Sequence, residues 1–185
     1  MTIFEKKKLE RDMFRKLRDK SSLNQMENVE KNVKVYDDSF VKEYKNFGYI
    51  AIYWPLKNEV DIRSLNEYIS LALPRCKGKK ELSFYPWDEK PLTKDSEGIL
   101  SPNNSFSLSH KEISLILVPC LSVDKNLIRL GYGGGYFDKL RSDKNWKNLP
   151  CIGVLTSNCV SPNPLTRAEW DIPLSGFITE KEIFV

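Results

Sequence analysis

Between Arg129 and Leu140 the chain reads RLGYGGGYFDKL, with glycine at 131, 133, 134 and 135 and charged residues on both sides. Glycine has no Cβ, so it adopts positive φ and lets backbone N–H groups approach a ligand closely. A helix proposed for residues 134 to 142 adds the partial positive charge of a helix N-terminus. Phosphate is the ligand this combination suits. Two familiar phosphate loops are excluded by spacing: G-x-G-x-x-G needs glycine where Tyr136 stands, and the Walker loop needs G-K-[ST]. A plain glycine-rich turn from strand to helix is the alternative. The flanking charges favour the first reading. Arg129 offers donors for phosphate oxygens, and Asp138, beside Lys139, offers one oxygen ligand for a magnesium ion held with a nucleotide.

Other reactive residue types are sparse. The single histidine, His110, sits between polar neighbours and reads as a solvated loop residue, which argues against a Ser-His-Asp triad or a histidine-rich metal site. Cys76, Cys120, Cys151 and Cys159 form no C-x-x-C pair, and they read as reduced, structural thiols. Near the N-terminus, Lys7 and Arg11 lie four residues apart on one helical face, with Arg15 one turn further. A solvated basic face is the other reading of that stretch.

These residues need a scaffold, and the hydrophobic pattern outlines one. Phe4, Leu9, Met13, Phe14 and Leu17 predict an amphipathic helix over 3–20, and Val29, Val33, Tyr36, Phe40, Val41 and Tyr44 a second over 27–45. FGYIAIYWP reads as a strand ended by Pro55. Ile62, Leu65, Tyr68, Ile69 and Ala72 predict a helix capped by Asp61. KKELSFYPW, ISLILVPCL and PCIGVLTS read as three further strands. Apolar runs buried on both faces and separated by helices imply an α/β fold with a largely parallel sheet, the glycine loop lying at a carboxyl end. Residues 88–112 and 157–173 lack a period and read as loops that either serve a site or are mobile.

The 185 residues fit a single domain over 1–185 with a sizeable core. Hydrophobic residues make up 41% and charged ones 29%, and the longest apolar run is far short of the ~20 residues of a membrane span. No secretory signal is legible at the N-terminus, so a cytoplasmic protein without a membrane partner is expected. The net charge of +4 suits anionic ligands, but acidic residues interrupt the lysines and no nucleic-acid motif is present, so no nucleic-acid partner is expected.

The stretch LILVPCLSVDKNLIRLGYGGGYFDKL resembles the signature of the 5-formyltetrahydrofolate cyclo-ligase family, whose pattern runs V-P-G-x-x-F-D-x-x-G-x-R-L-G-x-G-x-G-[YF]-[YF]-D-[RK]. Pro119, Asp124, Arg129, Leu130, Gly131, Gly133, Gly135, Tyr136, Phe137, Asp138 and Lys139 match it. YWPLKNEVDI, LPRCKGKKELSF, EGILSP, IGVLTS and WDIPLSGFITE are similar to further family segments in the same order. The resemblance implies a monomeric, Rossmann-like α/β/α sandwich. It implies an enzyme that uses ATP and Mg2+ to convert 5-formyltetrahydrofolate into 5,10-methenyltetrahydrofolate through a phosphorylated formyl group, releasing ADP and phosphate.

Carried over by position, the resemblance implies that Lys7, Arg11, Arg129, Gly131, Tyr132, Gly133, Gly134, Gly135, Tyr136 and Asp138 bind ATP. Arg129 and Asp138 are then the catalytic pair, and Asp138 is the magnesium ligand. Glu59 is placed at the folate, with Tyr85 and Trp87 as candidate flat surfaces for the pterin. Ser101, Tyr132 and Trp170 stand where the pattern carries glutamate, arginine and histidine, and Leu127 where it carries glycine. A nucleotide-binding relative acting on another small molecule, or serving as a binding protein, is the alternative those positions pose.

Overall fold

The structure, a computed structural model, describes residues 1–36, 48–88 and 90–185. Five parallel strands form its centre: β1 (Tyr49–Ala51), β2 (Leu71–Cys76), β6 (Ile113–Pro119), β9 (Cys151–Val154) and β11 (Gly176–Ile178). Antiparallel β3 (Leu82–Pro86) and β12 (Ile183–Phe184) extend its edges, giving the order β12-β11-β9-β6-β1-β2-β3. All seven residues of β6 are buried, which is why its sequence shows no polar alternation. Leu115 and Leu117 pack on one face against Val29, Val33 and Tyr36 of helix α2 (Leu23–Tyr36). Ile116 and Val118 pack on the other, where α3 (Tyr136–Ser142) and α4 (Lys144–Lys147) contribute Leu140 and Trp146. The expected α/β/α layering is thus present, each fully buried leucine or isoleucine contributing roughly 1.5–3 kcal/mol.

Helix boundaries follow capping chemistry. Helix α1 (Ile3–Arg18) starts at Thr2, whose hydroxyl accepts from the Glu5 N–H while the Glu5 carboxylate accepts from the Thr2 N–H at 2.7 Å. Helix α2 starts four residues earlier than the period predicts, because Ser22 and Gln25 cap each other reciprocally. Phe40, Val41 and Tyr44, expected on that helix, lie outside the described residues.

The helix expected from Asp61 to Ala72 is not formed. A single 3-10 turn, Arg63–Glu67, replaces it, and Leu71 and Ala72 open β2. Ile62, Leu65 and Ile69 are buried as their spacing implies. The run LAL, however, extends between β1 and β3 and gains ladder hydrogen bonds on both sides, which a short helix would forfeit. Asp61 spends its carboxylate on Arg63.

The region 88–112 holds a small hairpin, β4 (Thr93–Lys94) with β5 (Leu100–Ser101), and a 3-10 turn at His110–Glu112. His110 is half-buried with its ring edge toward Trp146, rather than solvated. Between β6 and the glycines, β7 (Ser122–Asp124) and β8 (Arg129–Leu130) form a second small sheet with β10 (Val160–Ser161). The glycine loop therefore follows β8 and not the central strand directly.

Helix α1 departs most from its apolar pattern. Phe4, Leu9 and Met13 are exposed, whereas Lys7 and Phe14 are buried. Its inward stripe is Lys7, Arg11, Phe14 and Arg18, at helical spacing but mostly charged, because this face covers a cavity rather than the sheet. Of α1, Phe14 and Leu17 join a buried apolar cluster with Leu121, Ile128, Leu130 and Leu165.

Candidate functional site

In chain order the parallel strands lie 2-1-3-4-5, so the order reverses between β1 and β6. Open sheets of this kind hold ligands beyond the carboxyl ends at that reversal. There the structure has a cavity of about 440 Å³, lined by Tyr53 and Trp54 after β1, Pro119 at the end of β6, and residues 129–138. The cavity also receives Lys7 and Arg11 from α1, Glu59 from the loop after β1, and Glu97 from the β4–β5 turn. Residues spread over more than a hundred sequence positions thus meet in one place.

The glycine loop is braced from three directions. Arg129 lies beneath it with Nη1 donating to the Pro119 carbonyl at 3.0 Å and Nη2 facing Asp138 Oδ1 at 3.4 Å. A Cβ on Gly131 would sit 2.9 Å from that guanidinium and push it from its place under the loop. Arg11 Nε donates to the Gly131 carbonyl at 3.0 Å, and its guanidinium faces Gly133, whose φ of 100° other residues rarely adopt. From the far side, the Tyr136 hydroxyl donates to Glu97 at 2.5 Å. Lys7 is held by a buried ion pair with Asp171, and Asp171 is fixed in turn by the Ala168 N–H at 2.7 Å. Arg141 of α3 donates to the Ile172 and Pro173 carbonyls and so anchors the same segment.

Glu59 sits half-buried beside the loop. Its Oε2 accepts from the Leu56 N–H at 2.7 Å, while Oε1 is buried without a well-formed hydrogen bond, near the Tyr132 hydroxyl. Burial pushes the Glu59 carboxyl above its ordinary value of 4.5, against the opposing pull of the Leu56 N–H. Burial likewise raises the Tyr132 phenol. The Tyr132 hydroxyl accepts a hydrogen bond from Arg18, whose guanidinium also lies over the ring.

Of the residues singled out in the sequence, Lys7, Arg11, Glu59, Arg129, Asp138 and the run Gly131 to Tyr136 all line this cavity. Arg15 does not; it pairs with Asp12 on the surface. Tyr85 and Trp87, expected at the pterin, are also outside it. Tyr85 is 2% exposed and packed beneath Arg75, and Trp87 lies edge-on to Trp54 over the outer face. Tyr85 lies in β3 and Trp87 just beyond it, at the end of this antiparallel edge strand that points away from the reversal. The aromatic walls are instead Tyr53 and Trp54, with Phe4 and Trp170 paired at the mouth, ring centroids 6.3 Å apart. Tyr53 and Trp54 had a legible signal: they lie just beyond the first strand, at the end where a parallel sheet presents ligand-facing side chains.

Ser101 is buried in the β4–β5 hairpin and donates to the Thr93 carbonyl. Asn158 ties the end of α1 through the Leu17 carbonyl at 2.9 Å. All four cysteines are buried and free, as read from the sequence, and burial pushes Cys76 and Cys120 up to about 12, where thiolate chemistry is suppressed. No helix among the described residues is long and apolar enough to cross a membrane.

The family model of the 5-formyltetrahydrofolate cyclo-ligase family matches residues 3–180. The chain belongs to this family of enzymes. A 5-formyltetrahydrofolate cyclo-ligase of Haemophilus influenzae is 27% identical over 175 residues, covering 89% of this chain and 92% of that one. A probable 5-formyltetrahydrofolate cyclo-ligase of Schizosaccharomyces pombe is 29% identical over 161 residues, 76% of this chain and 79% of its own. Among solved structures, the 5,10-methenyltetrahydrofolate synthetase of Aquifex aeolicus superposes with a TM-score of 0.77 at 27% identity, covering 96% of this chain and 91% of that one. That of Mycoplasma pneumoniae, at 23% identity and a TM-score of 0.69 over 94% and 98% of the two chains, shares the fold. The cyclo-ligase family thus extends over the cavity-forming elements as a whole, including α1 and the segment around Asp171.

Proposed function

We propose that this cyclo-ligase family member binds ATP with its phosphates along the glycine loop and uses it to close 5-formyltetrahydrofolate to 5,10-methenyltetrahydrofolate. The observation that carries the reading is the convergence of Arg11, Arg129 and Asp138 on the bare backbone of Gly131 to Gly135 in one cavity. Lys7, Arg11 and Arg129 neutralise phosphate oxygens. Arg129, held by the Pro119 carbonyl and facing Asp138, is pre-aimed rather than floppy, which is what charge stabilisation in a transition state demands.

In this reading the formyl oxygen attacks the γ-phosphorus and ADP leaves. N10 then attacks the activated carbon, and phosphate leaves as the ring closes. These steps ask the protein mainly for positioning and charge neutralisation, which suits a site holding no histidine. Tyr53 and Trp54 supply flat apolar walls for the pterin, and the buried Oε1 of Glu59 accepts from its N–H groups.

The residues present fit a magnesium ion bound chiefly by nucleotide and water. Asp138 is 40% exposed, its contact among the described residues being the long one to Arg129. Those residues contain no cluster of three or more acidic, histidine or cysteine ligands, and magnesium typically takes one or two carboxylates plus phosphates. When bound, the ion would offset charge on the transferring phosphoryl group; Asp138 would hold it and Arg129 would hold Asp138 in place.

The test is absorbance of 5,10-methenyltetrahydrofolate formed from 5-formyltetrahydrofolate, with and without ATP and magnesium. ATP-dependent product from the wild-type protein, lost in Asp138→Ala, is the expected result. A folded, ATP-binding protein that forms no product would overturn the folate step.

A further inference from the structure

Opposite the glycine loop, the β2–β3 turn reads KGKKE and takes an unusual backbone path. Gly78, Lys79 and Lys80 have φ of 76°, 48° and 62° in succession. Only the first is glycine, and two adjacent lysines in the left-handed region carry a conformational cost. The turn is over-determined by its surroundings: the Glu81 N–H donates to the Gly78 carbonyl at 2.8 Å, and the Lys77 N–H to the Glu81 carbonyl at 2.9 Å. Lys139 of α3 reaches across to donate to the Lys79 carbonyl at 3.0 Å. The turn is thereby fastened to the helix that follows the glycine loop.

What this conformation achieves is the direction of Lys80. Its side chain lines the cavity, and a Cβ built on Gly135 would meet both its Cδ and Nζ at 3.4 Å. The nearby acids are engaged elsewhere: Glu97 accepts from Tyr136, Asp138 faces Arg129, and Asp171 pairs with Lys7. Among the described residues no ion pair uses the Lys80 ammonium. Lys79, its neighbour, does not line the cavity; its carbonyl accepts from Lys139.

We propose that Lys80 is a phosphate-contacting residue of this site, swung onto the glycine loop by the left-handed turn so that its ammonium binds nucleotide phosphate oxygens opposite Arg11 and Arg129. A cation in no ion pair among the described residues, resting on backbone stripped of side chains, has an anion as its natural ligand. The assignment rests on the nucleotide reading given above and adds a third element, the β2–β3 hairpin, to α1 and the loop.

The experiment compares wild type with Lys80→Ala, Lys80→Arg and Lys80→Gly in KM for magnesium-ATP, KM for 5-formyltetrahydrofolate, and affinity for a non-hydrolysable ATP analogue and for adenosine. Lys80→Ala is expected to raise the ATP KM and weaken the analogue by about tenfold, the worth of one charge-assisted contact, with adenosine and folate changed by less than about twofold. Lys80→Arg should recover most of the loss. Lys80→Gly should share the binding defect yet melt no earlier than wild type, since glycine accepts φ of 62° freely. Unchanged ATP KM in Lys80→Ala, or no recovery in Lys80→Arg, overturns the assignment. A rise confined to the folate KM overturns it too, placing the ammonium at the carboxylates of the folate tail. Wild type that binds neither the analogue nor ATP removes the nucleotide reading itself, an outcome distinct from all of these.

Discussion

Two aspartates, Asp124 and Asp138, sit fourteen residues apart in the same signature stretch, and they do opposite things. Asp124 is 1% exposed, and its oxygens accept from the backbone N–H groups of Asn126, Ile128 and Leu165 at 2.8–3.0 Å. It shapes the tight turn in which Leu127 takes φ of 62° and ties that turn to the segment near Asp171. Asp138 is 40% exposed and has one long contact to Arg129. Saturation by backbone donors marks a residue that holds the fold; an under-used carboxylate in a cavity marks one held for a ligand. The same residue type in one motif serves both, and hydrogen-bond accounting separates them.

Substitution puts that contrast at risk. Asp138→Ala should lower kcat/KM by about 10²–10³ while shifting the melting temperature little, because a charge aimed at the ligand is lost while Arg129 keeps its Pro119 contact and gives up only a long one of 3.4 Å. Steady-state kinetics beside calorimetry decides this; equal damage to stability would erase the distinction. Asp124→Ala should do the reverse, costing about 2–4 kcal/mol of unfolding free energy in urea titration, since three backbone N–H groups lose a charged acceptor. A fully stable Asp124→Ala protein would refute its structural role.

Arg11 extends the contrast to bracing across the chain. Its removal should raise the KM for ATP by about tenfold through loss of the Gly131 contact and of one cation, with a smaller effect on stability, read from initial rates over a range of ATP. Glu59 lies between the two extremes, half-buried and half-satisfied. Its folded carboxyl binds protons more tightly than the unfolded one, so as pH rises above 4.5 its ionisation detracts from stability until the raised value is passed. The stability of Glu59→Gln relative to wild type should therefore grow as pH rises through that window, measured by denaturant titration at several pH values. A constant difference would mean that the carboxyl is not desolvated.

The Lys7 and Asp171 pair shows why part of the site was legible and part was not. Lys7 and Arg11 were readable as one helical face because four-residue spacing is a local property. That Lys7 is buried against Asp171, 164 residues away, is not. The same limit explains Tyr85 and Trp87. The sequence put both on a strand, and Tyr85 does lie in β3 with Trp87 directly after it, but which end of that strand faces the cavity depends on its antiparallel pairing with β2.

What the amino-acid sequence determined by itself was three of the five central strands, β1, β6 and β9, the glycine loop with its flanking Arg129 and Asp138, and the α/β class, all carried by short-range periodicity and by the backbone freedom of glycine. Tertiary structure alone decided that the inward stripe of α1 is charged, that LAL is a strand and not a helical turn, and that Tyr53 and Trp54 rather than Tyr85 and Trp87 wall the cavity. Those outcomes depend on which buried surface and which ladder hydrogen bonds become available once distant segments meet, and no local window of sequence contains that information.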